Sequence, residues 1–374
     1  MFFLVYGGMH FYAFMKARSA LAFNVPTGIV LAIFMLFMIA APFIIRISEN
    51  AGFESFARAI SYIGYTWLGI LFLFISISVI FDIYRFLVCS AEFLLKKDFS
   101  SVSVKANHAF FISALLAIMI ASYGYFEAKN IRTEKLVVKT SKIPREAGRL
   151  VIVQISDVHL GLIVREERLR LILDEVRKAN PDILVSTGDL VDGQIDNLSV
   201  LADSLNELRP RFGKYAVTGN HEFYAGLEQA MNFTEKAGFT ILRNQAVTIG
   251  GLIDIAGVDD PQAKSSGFSK NSSEKEILSM LPGDKFTVLL KHRPLVDPES
   301  SGLFDLQLSG HAHKGQIFPF SIITGLYYPT QSGTAKLPRN SMLHVSRGSG
   351  TWGPPIRFLA PPEVTAIELI YDGE

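Results

Sequence analysis

One cysteine, Cys89, occurs in the 374 residues, so neither a disulfide framework nor a cysteine zinc cluster can form. Charge of one sign is lacking too: 36 Lys and Arg stand against 35 Asp and Glu, a formal net charge of +1. That balance lacks the basic footprint of a non-specific nucleic-acid binder. Charge of any sign is scarce in one region. Residues 1–126 carry 8 basic and 5 acidic side chains, whereas residues 127–374 carry 28 and 30. At roughly 150 residues per domain, the charged part is one large domain or two small ones. The first third is too apolar for a soluble domain.

Three uncharged runs fill that third: 25–45, 60–81 and 109–126. About 20 apolar residues span a bilayer core, so each is a candidate transmembrane helix. Residues 1–15 are a shorter fourth candidate, with no basic start or small-residue cleavage site that would make them a signal peptide. Pro26 and Pro42 fall near the ends of the 25–45 run, and His10 and His108 read as histidines at span ends. If all four cross, Lys16, Arg18, Arg85, Lys96, Lys97 and Lys105 lie on one side and Arg46 and Arg58 on the other. The positive-inside rule then puts the charged domain outside the cytoplasm. Lys129, Arg132, Lys135 and Lys139, just after the last run, pull the other way.

Residues 127–149 are polar and read as a linker that adds at most an edge strand. From residue 150 the pattern is regular. Short apolar runs at 150–156, 183–186 and 214–217 predict buried strands, alternating with helical spacing at 166–179, 198–208 and 226–237. This order predicts an α/β core with largely parallel pairing. Further strands are expected at 246–249, 252–258, 286–290, 306–308, 342–346 and 364–370, with a polar loop at 262–276.

Polar residues cluster just after five of those strands: Asp157-Val158-His159, Gly188-Asp189-Leu190-Val191-Asp192, Gly219-Asn220-His221-Glu222, His292, and Gly310-His311-Ala312-His313. Ligand sites of open α/β sheets lie beyond the carboxyl ends of the strands, so these segments are expected to converge. Five of the eight histidines fall there. With Asp157, Asp189 and Asn220 they form a nitrogen and oxygen donor set suited to first-row divalent metals. Asp254, Asp259 and Asp260 have no such placement, and His344, inside an apolar strand, reads as a core histidine.

The order D-x-H, G-D-x-x-D, G-N-H-E, H and G-H-x-H, over about residues 150–315, resembles the calcineurin-like metallophosphoesterase superfamily. The resemblance implies a two-sheet αββα sandwich spanning residues 150–374, after a membrane region (1–126) of three to four transmembrane helices and the 127–149 linker. It implies two divalent metals, with Mn, Fe and Zn all compatible: Asp157, His159 and His313 on the first, Asn220, His292 and His311 on the second, and Asp189 bridging both. A metal-bound hydroxide would attack phosphorus, with His221 as general acid. Asp192 and Glu222 would fix histidine orientation or ligand geometry; ordinary turn and helix-start acids are the alternative.

LSGHAHKGQIFP (308–319) and RGSGTWGPPIRFLAPPEV (347–364) look like a membrane-linked bacterial phosphodiesterase branch. Some relatives in that neighbourhood cleave the pyrophosphate of acylated UDP-glucosamine lipids. Lys314 and Arg293 are candidate phosphate contacts or plain surface charges, and Trp352 suggests a rigid loop near the pocket or a packed C-terminal segment. The expected function is therefore a membrane-anchored, metal-dependent phosphohydrolase acting on a phosphodiester or pyrophosphate, lipid-linked in the sharpest form of the reading. A phosphoprotein phosphatase and a non-catalytic scaffold are the alternatives. A scaffold predicts eroded ligands, and every ligand position is filled.

Overall fold

With no water to satisfy backbone groups in lipid, apolar runs close their hydrogen bonds within helices. The computed structural model describes residues 2–193, 198–268 and 272–373. Its first third forms helices α1 (Phe2–Leu21), α2 (Val25–Asn50), α3 (Glu54–Leu95) and α4 (Ala106–Glu127). Three helical segments, Val25–Asn50, Glu54–Leu95 and Ser100–Glu127, are long and apolar enough to cross a membrane. Asn24 caps α2, its Oδ1 accepting from Thr27 N at 3.1 Å, and Pro26 occupies the first turn, where a missing donor costs nothing.

Two details differ from the sequence reading. α2 runs on to Asn50, so Pro42 lies inside the helix rather than near its end. α1 continues beyond Met15 to Leu21, where Ala22 turns into the left-handed region, and His10 thus falls mid-helix and buried. Its Nδ1 donates to Tyr6 O (2.8 Å) and its Nε2 accepts from Trp67 Nε1 (2.9 Å).

Contacts divide the chain into two units, Met1–Phe126 with Gly353–Phe358, and Glu127–Trp352 with Leu359–Glu374. In the first unit α1 packs on α2 and α3, and α2 on α3. The segment Gly353–Phe358 joins these helices: Ile356 lies beside Gly69, and Arg357 N donates to Gly124 O at 2.9 Å.

The second unit runs through β1 (Arg132–Thr140), β2 (Arg149–Ile155), α5 (Glu166–Ala179), β3 (Ile183–Ser186), α6 (Ser199–Asn206), β4 (Lys214–Ala216), α7 (Asn220–Ala225), α8 (Leu227–Lys236) and β5 (Thr240–Ile241). It continues with β6 (Gln245–Ile249), β7 (Ile253–Gly257), α9 (Gln262–Ser265), α10 (Glu274–Ser279), β8 (Phe286–Leu290), β9 (Leu306–Ser309), α11 (Phe320–Tyr327), β10 (Gly333–Lys336), β11 (Met342–Val345) and β12 (Glu363–Tyr371). Two mixed six-stranded sheets result, ordered β1-β12-β2-β3-β4-β5 and β10-β11-β9-β8-β7-β6. β2, β3, β4 and β5 are mutually parallel, as are β7, β8, β9 and β11.

Period-two alternation builds the core. Leu150 and Ile152, Ile183 and Val185 from the first sheet meet Ile253 and Ile255, Phe286, Val288 and Leu290 from the second. The helices cover the outer faces. α5 buries Leu169, Ile172, Leu173 and Val176 on one stripe and packs on β1 and β12, while Ile277 and Leu278 of α10 pack with Ala256 and Leu289 on the far side of the second sheet. Helix, sheet, sheet, helix is the sandwich that the resemblance implied. β1 adds itself in parallel to β12 at the sheet edge, within the segment read as linker. α7, β5, α9, α10, α11 and β10 lie outside the elements expected from sequence, because none is long enough to show a clean apolar period; α9 and α10 replace parts of the polar loop expected at 262–276.

Candidate active site

Each polar block begins where a strand stops. β2 leads to Asp157 and His159, β3 to Asp189, β4 to Asn220, β8 to His292, and β9 to His311 and His313. β2, β3 and β4 are parallel neighbours in one sheet, β8 and β9 in the other, so these loops leave at carboxyl ends. Backbone bonds tie the loops together: Asp157 N to Gly188 O, His159 N to Asp189 O and Gly310 N to His292 O, at 2.9–3.0 Å.

The side chains converge into three groups whose candidate donor atoms lie within 4.8 Å of one another: Asp157 with His159 and His313, Asp189 with His292 and His311, and His159 with Asp189 and His221. Asp189 belongs to two of them, its Oδ2 lying 3.1 Å from His292 Nε2 and 3.8 Å from His159 Nε2. Ring nitrogens also approach in pairs, His159 Nε2 to His313 Nε2 at 3.2 Å and His311 Nδ1 to His292 Nε2 at 3.1 Å. Asn220 Oδ1 is buried with no hydrogen-bond partner among the described residues. An orphaned carbonyl oxygen beside converging imidazoles and carboxylates is a donor set that fits divalent cations. Its imidazole and carboxylate chemistry accommodates Mn, Fe or Zn, and no donor selects manganese.

The backbone is held in unusual conformations to achieve this. Asp157, His159, Asp189, His311 and His313 all have φ between 47° and 67°, a left-handed region that non-glycine residues enter at a cost of order 1 kcal/mol or more each. Close approach is equally demanding. A Cβ on Gly219 would overlap Asp189 Oδ1, and one on Gly310 would overlap Ser156 Oγ and Asp157 Oδ2.

Further groups orient the ligand candidates. His292 Nδ1 donates to Thr187 O at 2.8 Å, which turns Nε2 towards the cluster. His159 Nδ1 is 3.2 Å from Asp192 Oδ1. His221 Nδ1 donates to Asp192 O at 2.6 Å. Glu222 Oε2 accepts from Gly219 N (2.6 Å) and Asp189 N (3.0 Å), and Oε1 from Leu190 N (2.8 Å) and Val191 N (3.4 Å). Glu222 is thus a clamp on two site loops.

Two carboxylates this deeply buried need compensating charge. Burial pushes Asp189 up, yet His292 beside it holds its carboxyl well below the ordinary range. Burial opposes charge on His292 in turn, and Asp189 raises it to about 10. Burial and His292 together drop His311 to about 3.

Other candidates resolve differently. Arg293 is neither a lone surface charge nor free: its Nε and Nη2 bind buried Asp260 at 2.8 and 3.0 Å. Asp259 pairs with Arg243 and accepts from Thr218, and Asp254 accepts from Thr248; neither belongs to the three donor groups. Lys314 is half-buried in a positive-φ turn. His344 is a core histidine as expected, between Thr334 and Thr365. Trp352 lies 6.4 Å from His221, as its loop suggested, whereas two other aromatic neighbours escaped the sequence reading: Tyr328 lies 5.4 Å from His311 and Tyr224 5.4 Å from His221. Only Trp352 had a local signal, its glycine-rich surroundings.

Residues 150–315 match the calcineurin-like phosphoesterase family. An uncharacterized metallophosphoesterase of Aquifex aeolicus (strain VF5) is 41% identical over 68% of this chain and 97% of its own. One of Campylobacter jejuni subsp. jejuni is 30% identical over 87% and 88%. A Danio rerio protein described as a transmembrane protein with metallophosphoesterase domain is 29% identical over 74% and 67%. The chain spans about half the length of matching solved structures such as a 5'-nucleotidase precursor from Thermus thermophilus, with 19% identity over 60% of this chain and 54% of that one and a TM-score of 0.35. Because the Aquifex relative is 41% identical over nearly its whole length and the domain match spans every polar block, the chain belongs to the metal-dependent calcineurin-like phosphoesterase family.

Proposed function

We propose that this protein is a membrane-anchored phosphohydrolase that uses two divalent metals to cleave a lipid-linked phosphodiester or pyrophosphate, with residues 150–374 as its catalytic domain. The observation that carries the reading is the position of Asp189, within reach of donors from both flanking groups. Asp157, His159 and His313 would hold one cation, Asn220, His292 and His311 the other, and Asp189 both. The cations would polarise the phosphoryl group and make water a nucleophile at neutral pH. His221 holds a proton on Nδ1 against Asp192 O, so Nε2 is the atom that gives a proton to the leaving group. Asp192 and Glu222 keep the histidines and the loop carrying Asp189 in position.

Two features support a lipid-linked substrate. The candidate spans bring the enzyme to a bilayer, where tethering raises its encounter with lipids. Just after His313, α11 exposes Ile322, Leu326 and Tyr327, leading to Tyr328 against His311. Apolar surface beside a polar site fits an acyl chain better than a peptide.

For sidedness, α2, α3 and α4 make three crossings whether or not α1 spans. Either way the domain lies opposite the face holding Arg85, Lys96, Lys97 and Lys105, which the charge rule makes cytoplasmic. The catalytic domain is proposed to be extracytoplasmic.

The test uses full-length protein in detergent, assayed with Mn on an aryl phosphodiester, an aryl monoester and an acylated UDP-sugar, with Asp189→Ala as control. Turnover of the diester or UDP-sugar, lost in the variant, is expected. Monoester preference would favour a phosphoprotein phosphatase, and bound metal without turnover of any substrate would favour a scaffold.

A further inference from the structure

The membrane unit contains a cavity of about 290 Å³ that the catalytic reading does not use. Its walls come from the same end of three helices: Met15 and Lys16 of α1, Phe81 and Asp82 of α3, and Ala106 and Ala109 of α4. These are the positions where the uncharged runs of the three helices stop. The α3 run, residues 60–81, is roughly 33 Å long at 1.5 Å per residue, close to the thickness of a hydrocarbon core. The cavity therefore sits at headgroup depth.

Its chemistry is polar in an apolar bundle. Asp82 receives Lys16 Nζ and, at 2.6 Å, the Tyr12 hydroxyl. That pairing consumes the only acid lining the cavity among the described residues. Arg85, one turn further along α3, also lines it and makes no hydrogen bond or ion pair among the described residues. The Ser78 hydroxyl belongs to a residue 4% exposed and likewise lacks a hydrogen bond among the described residues. A guanidinium that acts on Asp82 only through space and a buried hydroxyl facing a common space form a donor set for a phosphate group. Ionisable groups at membrane depth are costly unless they serve an internal partner or ligand.

We propose that this cavity binds the phosphate headgroup of an anionic membrane lipid, with Arg85 as its main contact, Ser78 as a second donor, and Asp82 fixing Lys16 and Tyr12 at the rim. The proposal rests on the membrane reading of the first unit and is independent of the chemistry proposed for the second.

The experiment fractionates cells first, then measures lipid retention on full-length protein in detergent by native mass spectrometry. The probes are phosphatidylglycerol and phosphatidylcholine, each with and without excess inorganic phosphate. Phosphatidylglycerol is expected to bind in preference. Arg85→Gln should weaken that binding about tenfold or more, Ser78→Ala less, and Arg85→Lys should restore part of it. Hydrolysis of a soluble aryl phosphodiester should stay unchanged in these variants. Equal retention by wild type and Arg85→Gln, or of both lipids, would overturn the site. Displacement by inorganic phosphate, irrespective of acyl chains, would overturn the lipid in favour of a soluble phosphate. Recovery in the soluble fraction without detergent would instead overturn the membrane reading.

Discussion

His221 and Asp192 meet twice: the His221 Nδ1 lies 2.6 Å from the Asp192 carbonyl oxygen and 3.2 Å from its Oδ1. Both partners accept, so Nδ1 carries a proton and the exchangeable position is Nε2. Burial works against a charged His221, but Asp192 and Asp189 raise it to about 10, which keeps the ring protonated. His221→Ala should therefore slow hydrolysis of a poor leaving group by about 10²–10⁴-fold and of an aryl leaving group much less. Metal content should not change. Metal lost together with activity would make His221 a ligand, in its group with His159 and Asp189.

Asp189→Ala removes the carboxylate shared by two donor groups. Elemental analysis of the purified variant is expected to show less than the wild-type metal content, with activity falling in proportion. Full activity with both metals gone would contradict the two-metal assignment. Chelation of the wild type should reproduce the loss, and added divalent metal should reverse it.

Gly219→Ala tests close approach without backbone strain, because φ at Gly219 is −99° and suits any residue. The new methyl group would overlap Asp189 Oδ1 and force that carboxylate aside. A destabilisation of about 1–3 kcal/mol and weakened metal binding are expected. A thermal melt of metal-free protein compared with a metal titration separates the two effects.

Glu222→Ala would leave buried N–H groups of Gly219, Asp189, Leu190 and Val191 without their acceptor. Each buried donor left unmatched costs about 1–3 kcal/mol where water cannot enter. The melting temperature of the metal-free protein should fall more than for Asp192→Ala, since the Asp192 side chain is partly exposed. Equal falls would mean the clamp contributes little.

His344 supplies a pH dependence remote from the donor groups. Burial first, and Arg347 second, lower its pKa from 6.5 to about 4. Between those values the unfolded chain binds a proton that the native state refuses, so stability falls as the solution is acidified from pH 6.5 towards 4. The full difference is about 3 kcal/mol at 1.36 kcal/mol per unit. Denaturant midpoints across that window should fall less steeply for His344→Gln than for the wild type.

Element type and the candidate donor residues were legible in the chain because both are local. The apolar runs 25–45, 60–81 and 109–126 need a bilayer or one another, whatever the rest does. The runs at 183–186 and 286–290 coincide with β3 and β8 because a buried strand shows as a short apolar stretch between polar turns. The histidine and aspartate blocks stood out since their spacing is covalent. What tertiary structure alone decided is everything that depends on two distant segments meeting. Arg293 was assigned by Asp260, 33 residues away, and Glu222 by three N–H groups of the loop that carries Asp189. His10 was a span-end histidine until α1 ran on and Trp67 reached it. Helix and strand periods follow from short-range backbone sterics, which the order of residues expresses directly. Side-chain partners follow from which chain folds back onto which, a choice made by packing the two sheets and the helices.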